Sequence, residues 1–188
     1  IYGKMNDVKR PENAELMMIR LLSYFVINKE TPHIVLPIGT FDTSIEPFVN
    51  SNLVSNGMIN KKNKKYLEFL KKYKNNEYHD TVSILISEWA NCGDLLDFIK
   101  KTYREFKLIH WKVLFFQIIS VLAVIQDKYP GFRHNDFKAN NILVQRTMVN
   151  KSRIYSYTVK RRKYHIPNIG YSIKIWDFDF ACIPGIID

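Results

Sequence analysis

At 188 residues and 22.3 kDa, with 46% hydrophobic residues, the chain holds enough apolar material for a sizeable core and reads as globular rather than disordered. Lys and Arg total 28 against 18 acids, a formal charge of +10 that would attract nucleic acid, an anionic surface or acidic protein. Its two cysteines, Cys92 and Cys182, lie far apart without metal-ligand spacing, which excludes a disulfide framework and a Cys-held zinc site and fits a reducing, cytoplasmic compartment.

The first residue is Ile1, no signal-like leader precedes Pro11, and the last residue follows an apolar Ile-Ile pair, so a fragment of a longer protein is expected. From Pro11 to about Phe25, Ala14, Met17, Met18, Leu21, Leu22 and Phe25 recur at helical spacing, with Glu12 and Glu15 near the positive end of the helix. The β-branched run Ile34 to Phe41 and the segment Val82 to Ser87 predict strands. Between them, a polar insert contains a basic helix from about Lys61 to Lys74, with Tyr66, Phe69, Leu70 and Tyr73 on one stripe; its lysines read first as a solvated face.

Asn91-Cys92-Gly93 is turn chemistry, and Asp94 can cap a short helix carrying Leu95, Leu96, Phe98 and Ile99. Ile109 to Gln126 predicts a core helix stopped by Tyr129-Pro130-Gly131. Its longest apolar stretch, Val113 to Ile125, is interrupted by Gln117 and Ser120 and falls short of the roughly 18 to 20 residues of a bilayer span, so no membrane span is expected. Ile142 to Val144 and Ile173 to Trp176 read as strands around a basic excursion with Tyr155, Tyr157 and Tyr164 that predicts a hairpin.

The chemistry concentrates in Arg133-His134-Asn135-Asp136-Phe137-Lys138-Ala139-Asn140-Asn141 and, downstream, Trp176-Asp177-Phe178-Asp179. Phosphoryl transfer needs in-line placement of donor and acceptor and neutralisation of charge on the transferring group. Asp136 is suited to accept or orient an acceptor hydroxyl proton, Lys138 to contact the γ-phosphate, and Asn141 with Asp177 to offer hard oxygen ligands to Mg2+. Each alone has a bland reading: Glu15 as a favourable helix-start charge, Asp94 as a cap, His134 as a packed histidine, Lys138 as a surface cation.

These motifs resemble those of the eukaryotic-type protein kinases, with His134-Asn135-Asp136 in the place of H-R-D and Asp177-Phe178-Asp179 in that of D-F-G. The resemblance covers nearly the whole chain and implies an α+β, protein-kinase-like bilobal fold, incomplete. It comprises residues 1–87 as a partial N-lobe with an αC-like helix and a basic insert at about 43–80, and residues 88–188 as hinge and the first half of the helical C-lobe, through the D-F-D motif, with a basic insert at about 146–171. It implies ATP and Mg2+ as cofactors and a protein substrate. It makes Glu15 the αC glutamate, Ser87 the gatekeeper, Glu88 and Ala90 the adenine-facing backbone, Asp94 a ribose contact and Leu143 the floor under the base. Lys138, two residues after the catalytic acid, is similar to the Ser/Thr class, and the H-x-D-x-K-x-x-N loop with D-F-D resembles the divergent kinases of large DNA viruses, of giant-virus or poxvirus type, which implies host cytoplasm or virion.

The chain departs from that pattern at several points, among them a connection from Asn141 to Asp177 longer than the family's usual strand pair and no A-P-E after Asp177. Asn135 replaces the Arg that pairs with a phosphorylated activation loop, and Asp179 replaces the Gly of D-F-G. None of the seven glycines forms G-x-G-x-x-G, and Lys4 and Lys9 lie too near Glu15 to be the usual strand lysine. The segment alone is therefore expected to be inactive. A small-molecule phosphotransferase of aminoglycoside or choline kinase type and a pseudokinase scaffold are the alternative readings; weak binding to nucleic acid or an anionic surface through the basic inserts is a separate expectation.

Overall fold

The structure is a computed structural model that describes residues 11–49, 63–148 and 154–187; the expected helix start at Lys61 and Lys62, together with Lys4 and Lys9, lies outside them. It is a mixed α+β fold in which every sheet among the described residues is a two-stranded pair. The described residues form two compact units, one within Gly39–Ile86, the other within Met5–Ile38 and Ser87–Asp188.

In the smaller unit, β1 (Pro37–Ser44) pairs with β2 (Thr81–Ser87), and the Ser83 hydroxyl donates to Asp42 Oδ1 at 2.6 Å. A short helix α2 (Glu46–Val49) follows Ile45, which is buried and donates its N–H to the Asp80 carbonyl. Helix α3 (Lys64–Lys74) starts where Asn63 Oδ1 accepts from the Tyr66 N–H, a cap that satisfies one of the orphan donors of the first turn. Its aromatic stripe packs locally: Phe69 lies between Tyr66 and Tyr78, and the Tyr66 hydroxyl donates to the Phe48 carbonyl. None of its residues is buried, so the lysines form the solvated face that the charge run predicted.

The larger unit is built on α1 (Pro11–Ile27), which runs two residues beyond the expected end and buries Met18, Ile19, Leu22 and Phe25 along one face. It closes with a Schellman arrangement, the Lys29 N–H on the Val26 carbonyl and the Glu30 N–H on the Phe25 carbonyl, which puts Lys29 at φ 60. The run read as one strand from Ile34 to Phe41 divides instead. Ile34 bridges in parallel to Ile175, while pairing in β1 starts only at Pro37, whose missing N–H makes it a natural break in a ladder.

Strands β3 (Ile142–Arg146) and β6 (Tyr171–Ile175) pair antiparallel with Ile142 opposite Ile175. Residues 33–35 flank β6, and Asp94 bridges to Leu143 on the other edge, so a four-segment platform ends immediately before Asp177. Asp94 also caps α4 (Leu95–Thr102), its Oδ1 accepting from the Asp97 N–H at 2.9 Å.

Helix α5 (Leu108–Lys128) spans 21 residues, longer than the apolar stretch read from sequence, and by length and composition alone it reaches what crossing a bilayer requires. Part of its apolar surface is committed to this unit, Val113, Leu114, Val121, Val124 and Ile125 being buried, while Leu108, Phe115 and Ile119 are exposed. The two polar residues that interrupt it are satisfied there. Gln117 donates to the Tyr171 carbonyl and accepts from the Ile173 N–H, clamping the edge of β6, and Ser120 donates back to the Gln117 carbonyl.

The basic excursion is the expected hairpin, β4 (Ile154–Val159) and β5 (Arg162–Pro167), joined through Lys160 and Arg161, both at positive φ. Cross-strand partners Tyr157 and Tyr164 both pack on Phe116 of α5. The Tyr157 hydroxyl also reaches His33 Nε2 at 3.0 Å, while His33 Nδ1 donates to the Ile173 carbonyl at 2.8 Å. This bond fixes the Nδ1–H tautomer and leaves Nε2 to accept from Tyr157.

Burial, with smaller contributions from its surroundings, lowers the His33 pKa to about 4 and pushes Tyr157 up to about 12, so both are neutral at pH 7. The unfolded chain therefore takes up a proton at His33 between pH 6.5 and about 4 that the folded chain refuses. Stability from this site is complete above about pH 6.5 and falls by about 3 kcal/mol as the pH drops towards 4. The expected measurement is a urea midpoint that declines across that window in the wild type and is flatter in His33→Gln.

Candidate active site

Residues 132–141 leave α5 after the turn at Pro130-Gly131, where Gly131 lets Pro184 approach: a Cβ there would sit 3.1 Å from Pro184 Cδ. Reciprocal backbone bonds between Arg133 and Cys182, at 3.0 and 2.9 Å, tie this loop to the segment that follows Asp177. The Trp176 N–H donates to the Asn141 carbonyl at 3.3 Å, so the two motifs far apart in sequence share one backbone frame.

Within that frame Asp136 Oδ2 accepts from Lys138 Nζ at 2.6 Å and from Asn141 Nδ2 at 2.9 Å, and Asn141 Nδ2 also donates to the Asp136 carbonyl. Lys138, hydrogen-bonded to the carboxylate, holds Asp136 below the usual carboxylate range, and Asn141 assists. Asn141 is buried on a 3-10 turn, Ala139–Asn141, that leads directly into β3. With its amide nitrogen committed to Asp136, its Oδ1 is left for another partner.

Asp177 sits at φ 62, a conformation that Asp adopts more readily than most residues. Its pKa is raised, first by desolvation and then by the carboxylates of Asp179 and Asp136. Crowded like charges of this kind are what a cation relieves. The described residues contain no cluster of three or more His, Cys, Asp or Glu that could hold a metal by themselves. Mg2+ takes one or two carboxylates and completes its shell with water and phosphate oxygens. The hard oxygens present, Asn141 Oδ1 and the Asp177 carboxylate, suit that ion.

His134 links the loop to the Asp177 segment. It is buried, donates from Nε2 to the Trp176 carbonyl at 3.2 Å, and packs against Phe178 and the edge of Phe137. Burial lowers its pKa, so it is a neutral packing histidine, and its Nδ1 has no hydrogen-bond partner. Asn135, at φ 59, donates to the Phe180 carbonyl at 2.8 Å, so the residue in the place of the family's Arg pins the chain after the Asp177 motif.

Of the remaining candidates, Asp94 and Leu143 are brought together at the edge of β3. Cys92 and Val144 bond through their backbones, as do Val144 and Gly93, which sets Asp94 beside Leu143. Ala90 is buried, Ser87 ends β2 half-buried, and Glu15 lies half-buried in the second turn of α1. Glu88 does something the sequence did not announce: its carboxylate pairs with Lys174 Nζ at 2.7 Å and accepts from the Leu36 N–H at 2.8 Å. Lys174 is buried on β6 between Ile173 and Ile175 and donates also to the Pro32 carbonyl. The only sequence signal was a lysine inside an otherwise apolar Ile-Lys-Ile strand.

No protein-family model matches the chain. It is 50% identical, over its whole length, to an Acanthamoeba polyphaga mimivirus protein named "Putative serine/threonine-protein kinase R400", and the match spans 41% of that protein. A second mimivirus protein, "Putative serine/threonine-protein kinase R301", is 41% identical over 37% of this chain and 18% of its own length. A Dictyostelium discoideum protein named "Probable serine/threonine-protein kinase" is 33% identical over 53% of this chain and 8% of its own length. With the H-x-D-x-K-x-x-N loop and the D-F-D segment joined in one frame, this homology places the chain among the serine/threonine-protein-kinase sequences of giant-virus type.

Proposed function

We propose that the chain forms part of an ATP- and Mg2+-dependent protein kinase that transfers the γ-phosphate to Ser or Thr hydroxyls of a protein. The observation that supports it most is the Lys138–Asp136–Asn141 hydrogen-bonded set with the Asp177 carboxylate close enough to feel Asp136. Asp136, ionised at neutral pH, orients the acceptor hydroxyl and receives its proton as the oxygen attacks. Lys138, paired with Asp136 here, contacts the γ-phosphate as charge builds on it. Asn141 Oδ1 and Asp177 would hold Mg2+, which when bound neutralises charge on the phosphate oxygens.

On this reading the backbone of Glu88 and Ala90 meets the adenine edge, Ser87 precedes it as gatekeeper, and Glu15 is the helix glutamate that organises the phosphate side. Asp94 and Leu143, set side by side, approach the ribose and the base. Residues 1–87 then belong to the N-lobe and 88–188 to the hinge and C-lobe, and the protein works in host cytoplasm or virion. A second reading, transfer to a small alcohol such as an aminoglycoside or choline, draws support from Asp179, whose carboxylate lies near Asp177 and makes the site acid-rich. The test of transfer itself is the intact protein carrying Asp136→Asn or Asp177→Ala. Each is expected to lose ATP-dependent labelling of the acceptor, and unchanged labelling in either removes the assignment.

A further inference from the structure

Six non-glycine residues among those described have positive φ. Three are Asn76, Asn135 and Asp177, residue types that enter this region most readily. The other three, Lys29, Lys160 and Arg161, are all basic, and all line one cavity of about 420 Å3 within the larger unit. Lys29 occupies the Schellman position of α1, where Gly is the usual residue. Lys160 and Arg161 fill a two-residue hairpin turn with both residues at positive φ, where Asn-Gly is preferred. The chain does use glycine at other positive-φ positions, Gly93, Gly170 and Gly185. Three positions in this sparsely populated region, each an exposed basic residue that lines the same cavity, point from the outlier to a use.

We propose that this cavity is a binding site for a single phosphate monoester, separate from the transfer site. Lys29, Lys160 and Arg161 supply the charge, and none is ion-paired within the described residues. Ser156 and Thr158 bring hydroxyls, while Pro32 and Val124 make part of the wall apolar. Glu30 and Asp127 also line the cavity, so three cations face two carboxylates and the excess is one positive charge. That balance suits one phosphate group of charge about −1.5 to −2 and disfavours polyphosphates or nucleic acid. The hairpin that carries two of the cations is held in place by Tyr157 on His33 and Phe116, so the site is pre-arranged.

The phosphate can be presented by a phosphorylated protein segment or by a small organic phosphate. Calorimetric titration of the intact protein with a phosphoserine peptide, its unphosphorylated form and free O-phosphoserine separates the sources. A preference for the phosphopeptide over O-phosphoserine assigns the protein source, and equal affinity assigns the small molecule. The informative variants are Lys29→Gly and Lys160→Asn/Arg161→Gly, which give the backbone the residues it favours while removing the cations. They are expected to keep or raise the Tm and to weaken the phosphorylated probe about tenfold or more. Arg161→Gln, which leaves the turn as constrained as before, is expected to show the same direction of loss. Absence of binding by both phosphorylated probes, or wild-type affinity in the variants, overturns the proposal.

Discussion

Asp136→Asn in the intact protein is expected to lower phosphotransfer by about 10^3-fold, within the range of 10^2 to 10^4 typical for loss of a positioned proton acceptor, while ATP affinity stays near wild type. The substitution preserves shape, and Asn can still accept from Asn141 Nδ2, so the loop geometry has reason to persist. What it removes is the charge that Lys138 pairs with at 2.6 Å, and with it the group proposed to take the acceptor proton. Because Lys138 holds Asp136 below the usual carboxylate range, Asp136 is expected to stay ionised as the pH falls through the ordinary carboxylate region. Asp177 behaves oppositely: its raised pKa makes it the first of the two to protonate as the pH falls, and a bound cation would counter that. His134 contributes no such step, being neutral, buried and bonded to the Trp176 carbonyl.

The largest stability effect is expected at Glu88 and Lys174. Breaking a buried pair by removing one partner leaves the other charge without compensation, whereas replacing both by apolar groups is often neutral. Lys174 is 8% exposed and Glu88 24%, so the two single changes differ. Glu88→Leu strands the Lys174 ammonium with only the Pro32 carbonyl and is expected to cost about 3 kcal/mol. Lys174→Met leaves Glu88 with the Leu36 N–H and partial solvent, and is expected to cost about 1 to 2 kcal/mol. The double variant is expected to lose less than the sum, read from urea midpoints in a double-mutant cycle. Additive losses would show that the pair does not act as a unit.

Much of this was legible because it is local. The spacing of Met18, Leu22 and Phe25 fixed a helix face, Asp94 announced a cap, and the loop from His134 to Asn141 carries its hydrogen-bonded set within eight consecutive residues. The run from Ile34 to Phe41 misled because its apolar, β-branched character marks extended chain without naming a partner; Pro37 was the clue that it divides. Lys174 and Glu88 meet across 86 positions and His33 meets Tyr157 across 124, and neither pairing has a local pattern. The cavity is the least legible feature, since no local pattern marks the positive φ of Lys29, Lys160 and Arg161 or brings the three to one place.

The proposed activity is transfer of the ATP γ-phosphate to protein hydroxyls. Incubating the intact protein with γ-labelled ATP and Mg2+ against protein, aminoglycoside and choline acceptors tests it directly. The predicted result is label in protein, recovered as phosphoserine or phosphothreonine and lost on chelation of Mg2+. Label confined to an aminoglycoside or choline, or no transfer to any acceptor, would contradict it.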